Sequence, residues 1–318
     1  MPKVSVIVPN YNHAHFLKQR LDSIFFQTFR DFEVIILDDC SSDNSRDVIE
    51  EYRSNPLVSH IVYNERNSGS PFKQWAKGFN LAKGEYIWIA ESDDWAELNF
   101  LETLLPILDS HKTLSLAFCN SHWFSPTLNK NSDIFSKDCF IKGDKFFSQY
   151  MATHNSICNA SCVLFKKSLI SEINPDYQTF FGCGDWLFWI ELSWRGDVFY
   201  TTKILNHFRQ FGNRASNKNN LSGNAYKEHL KILQYLQKKK KLTFFQRHCI
   251  AVFYITFKKK YPNIYKFDPI LFQQASYAWR KEILSPAISR LYIDCMYLLW
   301  LIKSYVYVKL GRNPGSFL

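Results

Sequence analysis

The sequence predicts an α/β fold: a mostly parallel sheet flanked by helices, followed by a helical, basic C-terminal extension. Three observations predict it. Over the first hundred residues, apolar β-branched runs alternate strictly with segments of helical period, the pattern of parallel strands joined by crossover helices. The carboxyl ends of those runs are polar and acidic, on the edge where such sheets bind ligands. Beyond about residue 216 the alternation gives way to basic helical sequence.

The elements follow in order. "VSVIVP" at 4–9 reads as a buried strand, and "HAHFLKQRLDSIFFQ" places Phe16, Leu17, Leu21, Ile24 and Phe25 at helical spacing. "FEVIILDD" at 32–39 is a second strand. "SSDNSRDVIEEYRS" opens on good N-cap residues and continues as a helix. "SHIVYNE" is a third strand, "SPFKQWAKGFNLAKG" a helix ending at Gly84, and "EYIWIAES" a fourth strand. The next helix is expected within "WAELNFLETLL", with Asp94 capping it, holding the preceding loop, orienting Asp93 or contacting a bound ligand. In "FFGCGDWLFWIELSWRGD" at 180–197, two glycines allow a sharp turn and Asp185 opens an aromatic helix.

With 318 residues, 46% hydrophobic and 17% aromatic, the chain can bury a large core, which argues against disorder. The opening "MPKVSVIVPNYN" does not read as a signal peptide. Of eight cysteines only Cys158 and Cys162 are close, and no nearby His completes a zinc set. Reduced thiols in a cytoplasm-facing protein are the expectation. Residues 227–281 carry 13 Lys or Arg against two acids, more than the whole net charge of +10. That segment, with "KKKK" at 238–241 and "KKK" at 258–260, suits an anionic partner, or is simply a solvated helical face. "RLYIDCMYLLWLIKSYVYVKL" at 290–310 is apolar but interrupted by Asp294, Lys303 and Lys309. Its longest apolar run falls short of the roughly 20 residues a membrane span needs. It reads as an amphipathic helix for an anionic membrane surface; packing on the N-terminal core or against a second copy is the alternative.

The strand ends hold the chemistry. They read Pro9-Asn10-Tyr11-Asn12, Asp38-Asp39, Asn67-Ser68-Gly69 after the third strand, and Glu91-Ser92-Asp93-Asp94. No Gly-rich phosphate cradle follows the first strand. A bound nucleoside diphosphate would therefore need a divalent cation, and Mg²⁺ or Mn²⁺ prefers carboxylate oxygen, water and phosphate. Without such a ligand, carboxylates this close repel, so the site is expected to be strained, mobile or partly protonated.

"VSVIVPNYN", "EVIILDDCSSDNS", "NSGSPFKQWAKGFNLAKGEYIWIAESDDW" and "FGCGDWLFWIELSWRG" resemble the motifs of inverting family 2 glycosyltransferases of the GT-A fold, bacterial polysaccharide type, over about residues 1–215. The resemblance implies a Rossmann-like transferase domain over 1–215, with 216–318 as a mainly helical region for membrane docking or dimerisation. It implies sugar transfer with inversion from a nucleotide-diphosphate donor, UDP-sugar favoured, to a hydroxyl of a glycan or lipid-linked acceptor in cell-surface polysaccharide synthesis. Asp39 then bonds the base, with Asp38 as second candidate, and Pro9, Asn10, Tyr11 and Asn12 line the base pocket. Asn67 and Lys73 belong to the donor side. The D-x-D motif falls on Glu91, Ser92 and Asp93, with Asp93 ligating Mn²⁺ or Mg²⁺ and Glu91 standing where Asp is usual.

Gln74 or Trp75 is a candidate for sugar contact, while Phe72 and Phe79 face the core. Asp185 matches the general base, with helix capping as its alternative role; Gly184 stands where the family usually has Glu. Trp186 is a candidate acceptor platform. His207, Arg209 and Arg214 are candidates for the diphosphate, a group that Arg binds bidentately. A carboxylate base suits the reaction because a hydroxyl is a weak nucleophile at neutral pH. Expected partners are the donor, the acceptor and an anionic membrane surface, with a homodimer as an option and no nucleic acid. The expected location is the cytoplasm or the inner membrane face. Two rivals are a sugar nucleotidyltransferase, which would want a basic Gly-rich loop after the first strand, and a non-catalytic nucleotide- or carbohydrate-binding module.

Overall fold

A computed structural model describes residues 1–210 apart from 153 and 158, then residues 224–239 and positions 219, 222, 242, 243, 246 and 270. The four apolar runs form strands β1 (Val4–Asn10), β2 (Phe32–Asp38), β3 (Val58–Tyr63) and β4 (Tyr86–Ile89), joined by α1 (Ala14–Phe25), α2 (Ser45–Glu50) and α3 (Pro71–Leu81). All four are parallel, with β1 paired to β2 from Val4↔Phe32 to Asn10↔Asp38 and to β4 from Val4↔Tyr86 to Ile7↔Ile89. β1 and β2 are buried at every position because helices cover both faces, which is why they read as continuous apolar runs. Pro9 is tolerated in this central strand because its ring nitrogen falls on the β4 side, past the last pair at Ile89.

The sheet then turns mixed. Its remaining strands are β5 (Trp95–Ala96), β6 (Leu114–Ser125), β7 (Leu128–Asn131), β8 (Cys139–Ile141), β9 (Val163–Lys166) and β10 (Asp197–Arg209). The order is β3-β2-β1-β4-β9-β6-β10-β5, with β7 on β6 and β8 on β10. β9 is antiparallel to both β4 and β6, so the parallel character predicted from the first hundred residues holds there and in the β6–β10 pair.

Two helix boundaries differ from the sequence pattern, each for a local reason. The helix expected from residue 95 is α4 (Phe100–Ser110), because Trp95 and Ala96 pair with His207 and Asn206 of β10. α3 stops at Leu81 rather than Gly84, because the Lys83 and Gly84 amides donate into a buried Ser5–Glu33 pair. After α5 (Gly143–Phe146) comes α6 (Gly184–Arg195), whose Phe188 and Trp189 pack on Phe165 of β9 and on Trp75 of α3. Burying such a ring stabilises by about 2–3 kcal/mol.

The chain divides into two compact units, Met1–Arg214 and Ala215–Leu318. The first holds the sheet. In the second, the helix Asn224–Lys239 buries Ile232, Leu233 and Leu236, and the Asn219 side chain donates to Glu228 at 3.0 Å. Among the described residues no helix is long and apolar enough to cross a membrane. Lys240, Lys241, Lys258–Lys260 and the apolar segment 290–310 lie outside the described residues, as do Arg214 and Cys158.

Candidate active site

The carboxyl ends of β1 and β2 are fastened together by side chains. Asn10 donates to Asp38 Oδ1 at 3.0 Å and to Ser41 Oγ at 3.3 Å, and Ser41 N–H donates to Asp38 Oδ2 at 3.1 Å. Asn12 Oδ1 accepts from Ser42 N–H at 2.7 Å, and Asn12 N–H donates to Ser41 Oγ at 2.9 Å. Asn12 takes φ +56°, which an Asn tolerates. Asp38 is fully buried and Tyr11 is exposed.

Asp39 anchors the loop after β3. Its carboxylate accepts from Asn64 at 2.6 Å, Ser68 N–H at 2.9 Å, Ser68 Oγ at 2.8 Å and Gln74 Nε2 at 2.9 Å, while its carbonyl accepts from Asn67 at 3.0 Å. Gly69 has φ +75°, a conformation that favours glycine, and donates to Asn67 Oδ1 at 2.8 Å. Lys73 is exposed and donates to Ser68 O at 2.9 Å. α3 is the hub of the site. Gln74 meets Asp39, and Trp75, buried like Phe72 and Phe79, donates from Nε1 to Glu91 Oε1 at 2.9 Å.

The acidic turn after β4 is held from several sides. Asp94 does not cap a helix. It is fully buried, and its carboxylate accepts from Asn159 Nδ2 at 2.8 Å, Ser161 Oγ at 2.7 Å and Arg209 N–H at 3.2 Å. Ser161 Oγ also accepts from Glu91 N–H at 3.1 Å, and Ser92 Oγ bonds His13 Nδ1 at 2.8 Å. Burial, with Asp93 alongside, pushes Glu91 up to about 8 and Asp94 up to about 7. Desolvation and like charge at close range both disfavour the ionised form of such carboxylates.

The chain also supplies a cation of its own. Arg20 of α1 is fully buried, 4.9 Å from the Trp88 ring centroid, and its charge acts on Asp94, Glu91 and Asp93. The signal was present in the sequence: Arg20 lies on the same helical face as Leu17 and Ile24, an arginine within an apolar stripe.

Asp185 lies in the first turn of α6, with Cys183 as the N-cap. Its Oδ2 accepts from Asn155 at 2.8 Å and its Oδ1 from Trp186 N–H at 2.8 Å. Gly184 is needed for close approach rather than for a turn: a Cβ there would lie 2.6 Å from Phe72 Cδ2 and closer still to Tyr177 O. Ser70 Oγ donates to Phe180 O at 2.6 Å, so the loop before α6 is tied to the start of α3. The segment 155–161 joins the two acidic places, with Asn155 on Asp185 and Asn159 and Ser161 on Asp94. Sequence reading passed over this segment, although its Asn/Ser content between apolar runs was a usable signal.

Trp186 is buried and donates to Met151 O at 2.7 Å. His207 stacks on Trp95 with centroids 4.6 Å apart and pairs with Glu97 at 2.7 Å. The Arg209 guanidinium lies 4.4 Å from the Phe16 centroid and 4.6 Å from that of Trp95, and it bonds Gln19.

No group of three or more metal-ligating side chains stands together among the described residues. A hard cation shared with a diphosphate asks for only one or two protein carboxylates. The half-buried Asp93, flanked by Glu91 and Asp94, fits that donor set.

Fold and rim together define a mixed α/β domain with a polar, acidic edge at the carboxyl ends of its parallel strands. A family profile described as "Glycosyl transferase family 2" matches residues 5–173, just over half of the chain. The poly(ribitol-phosphate) beta-N-acetylglucosaminyltransferase TarS of Staphylococcus aureus is 36% identical over 113 residues, covering 35% of this chain and 20% of that protein. This chain thus matches only a fifth of that relative's length. The GalNAc(5)-diNAcBac-PP-undecaprenol beta-1,3-glucosyltransferase of Campylobacter jejuni is 26% identical over 290 residues, covering 84% of this chain and 87% of that one. Among solved structures, S. aureus TarS 1–349 in complex with UDP-GlcNAc aligns at TM-score 0.67 and 17% identity, over 98% of this chain and 92% of that one. The Pyrobaculum calidifontis mannosyltransferase PcManGT, in complex with GDP-Man and Mn²⁺, aligns at TM-score 0.55 and 15% identity, over 94% and 81%. The chain belongs to glycosyl transferase family 2.

Proposed function

We propose that this chain transfers a sugar, with inversion, from a nucleoside-diphosphate donor to a hydroxyl of a glycan or lipid-linked acceptor. The observation that carries this reading is the pair of carboxylate sites joined by residues 155–161, one at the acidic turn and one at the mouth of α6. Asp185 accepts the acceptor's proton as the new bond forms, and Asn155 holds its carboxylate in orientation. Such a base typically contributes about 10²–10⁴-fold. Asp38 and Asp39, with the Asn10–Asn12 turn, form the nucleotide end of the site. Asp93, with Glu91 beside it, would hold Mn²⁺ or Mg²⁺, which when bound offsets the charge of the leaving diphosphate.

A uridine nucleotide is favoured because the TarS structure aligned above is a complex with UDP-GlcNAc. A polyprenyl-linked acceptor is suggested by the name of the C. jejuni relative. The basic segment 227–281 suits an anionic membrane surface beside such an acceptor. The test is Asp185→Asn. Transfer should fall by about 10²–10⁴-fold while calorimetric binding of uridine diphosphate with Mn²⁺ is unchanged. Turnover at the wild-type rate removes Asp185 from the mechanism.

A further inference from the structure

Arg20 is not among the expected site residues, yet its charge acts on all three carboxylates of the acidic turn. It is fully buried, and neither Nε nor either Nη has a hydrogen-bond partner. Trp88 beneath it offers a ring face. The groups that favour its charge are Asp94, then Glu91 and Asp93, and burial opposes it. A buried cation without directional bonds is costly, and an apolar side chain of similar size would pack the same space more cheaply. The charge, not the shape, is therefore what this position contributes.

Resting on the function proposed above, we propose that Arg20 is a positioning residue whose buried charge offsets the carboxylates of the acidic turn where the anionic diphosphate of the donor would lie. Arg209 also acts on Asp94 and Asp93, and a divalent ion would add to both. Without Arg20 the rim is more negative by one charge towards the diphosphate. One unit charge at several ångströms and an effective dielectric near 20 corresponds to about tenfold or more in affinity. Arg20 repels the divalent ion for the same reason that it favours the diphosphate, so its removal moves the two ligands differently.

The test is calorimetry of uridine diphosphate at saturating Mn²⁺ on the full chain, with Mn²⁺ binding alone followed by electron paramagnetic resonance. Arg20→Met should bind the diphosphate about tenfold more weakly while binding Mn²⁺ at least as well as wild type. Arg20→Lys restores the charge and should bind the diphosphate within about fivefold of wild type. The inference is overturned if Arg20→Met stays within that limit, if it loses Mn²⁺ and diphosphate in parallel, or if Arg20→Lys is as weak as Arg20→Met. Should Arg20→Met not fold, Arg20→Lys decides alone: binding within the limit supports the inference and a larger loss overturns it. A wild-type chain that binds no diphosphate with Mn²⁺ overturns the proposed function, and this inference with it.

Discussion

Cys40 holds φ +62° directly after the Asp38-Asp39 pair. A side chain in the left-handed region costs about 1–2 kcal/mol, and the Cys40 thiol makes a long bond, 3.5 Å to Glu65 O. The turn therefore carries strain next to the nucleotide end of the site. Cys40→Gly should raise the unfolding free energy by about 1 kcal/mol, read from urea melts. A loss of that size would show that the thiol's contacts outweigh the backbone term. The same conformation at Asn12 is easier, and Asn12 also uses its side chain to bind the facing loop.

At the scale of elements, α3 and α6 are joined where no side chain fits between them. Gly184 lies against Tyr177 O and Phe72, Ser70 bonds Phe180 O, and Phe188 and Trp189 pack on Trp75. Gly184→Ala would force the start of α6 away from α3 and carry Asp185 with it. The variant should lose about 1–3 kcal/mol of stability in urea unfolding and a larger share of transfer activity than of diphosphate binding. Equal stability would mean that the α6 entry relaxes freely. This contact also gives a physical reason for glycine where the family usually has Glu. The sequence showed the departure; the crowding behind it involves Tyr177 and Phe72, which are remote in the chain.

For the whole molecule, the acidic turn links stability to pH. Glu91 and Asp94 have folded values of about 8 and 7, raised from ordinary carboxylate values near 4. The native chain thus binds more protons than the unfolded chain between those limits, and this contribution to stability falls as pH rises. His13 and His154, held low by burial, act in the opposite direction, but only below about 6.5. From pH 6.5 to 8 the ligand-free protein should therefore lose thermal stability, and Glu91→Gln should flatten that slope. A wild-type melting temperature that is flat or rising over this window would contradict the placement of these acids in a desolvated turn. Uridine diphosphate with Mn²⁺ should also flatten the slope, because the ion takes the place of the protons.

The sequence alone determined the strand-helix alternation, the burial of β1 and β2, and the gathering of polar residues at one sheet edge. These are local properties: period, composition and the direction of a parallel strand settle them. Tertiary structure decided what neutralises the acids. Asp94 is held by Asn159, Ser161 and the backbone of Arg209, and the charge of Arg20 acts on the turn from a helix some seventy residues away in the chain. It also decided that β9 enters antiparallel between β4 and β6, carrying the segment 155–161 that joins Asp94 to Asp185. Charge compensation and strand order depend on which residues meet in space, and no short window of sequence records that.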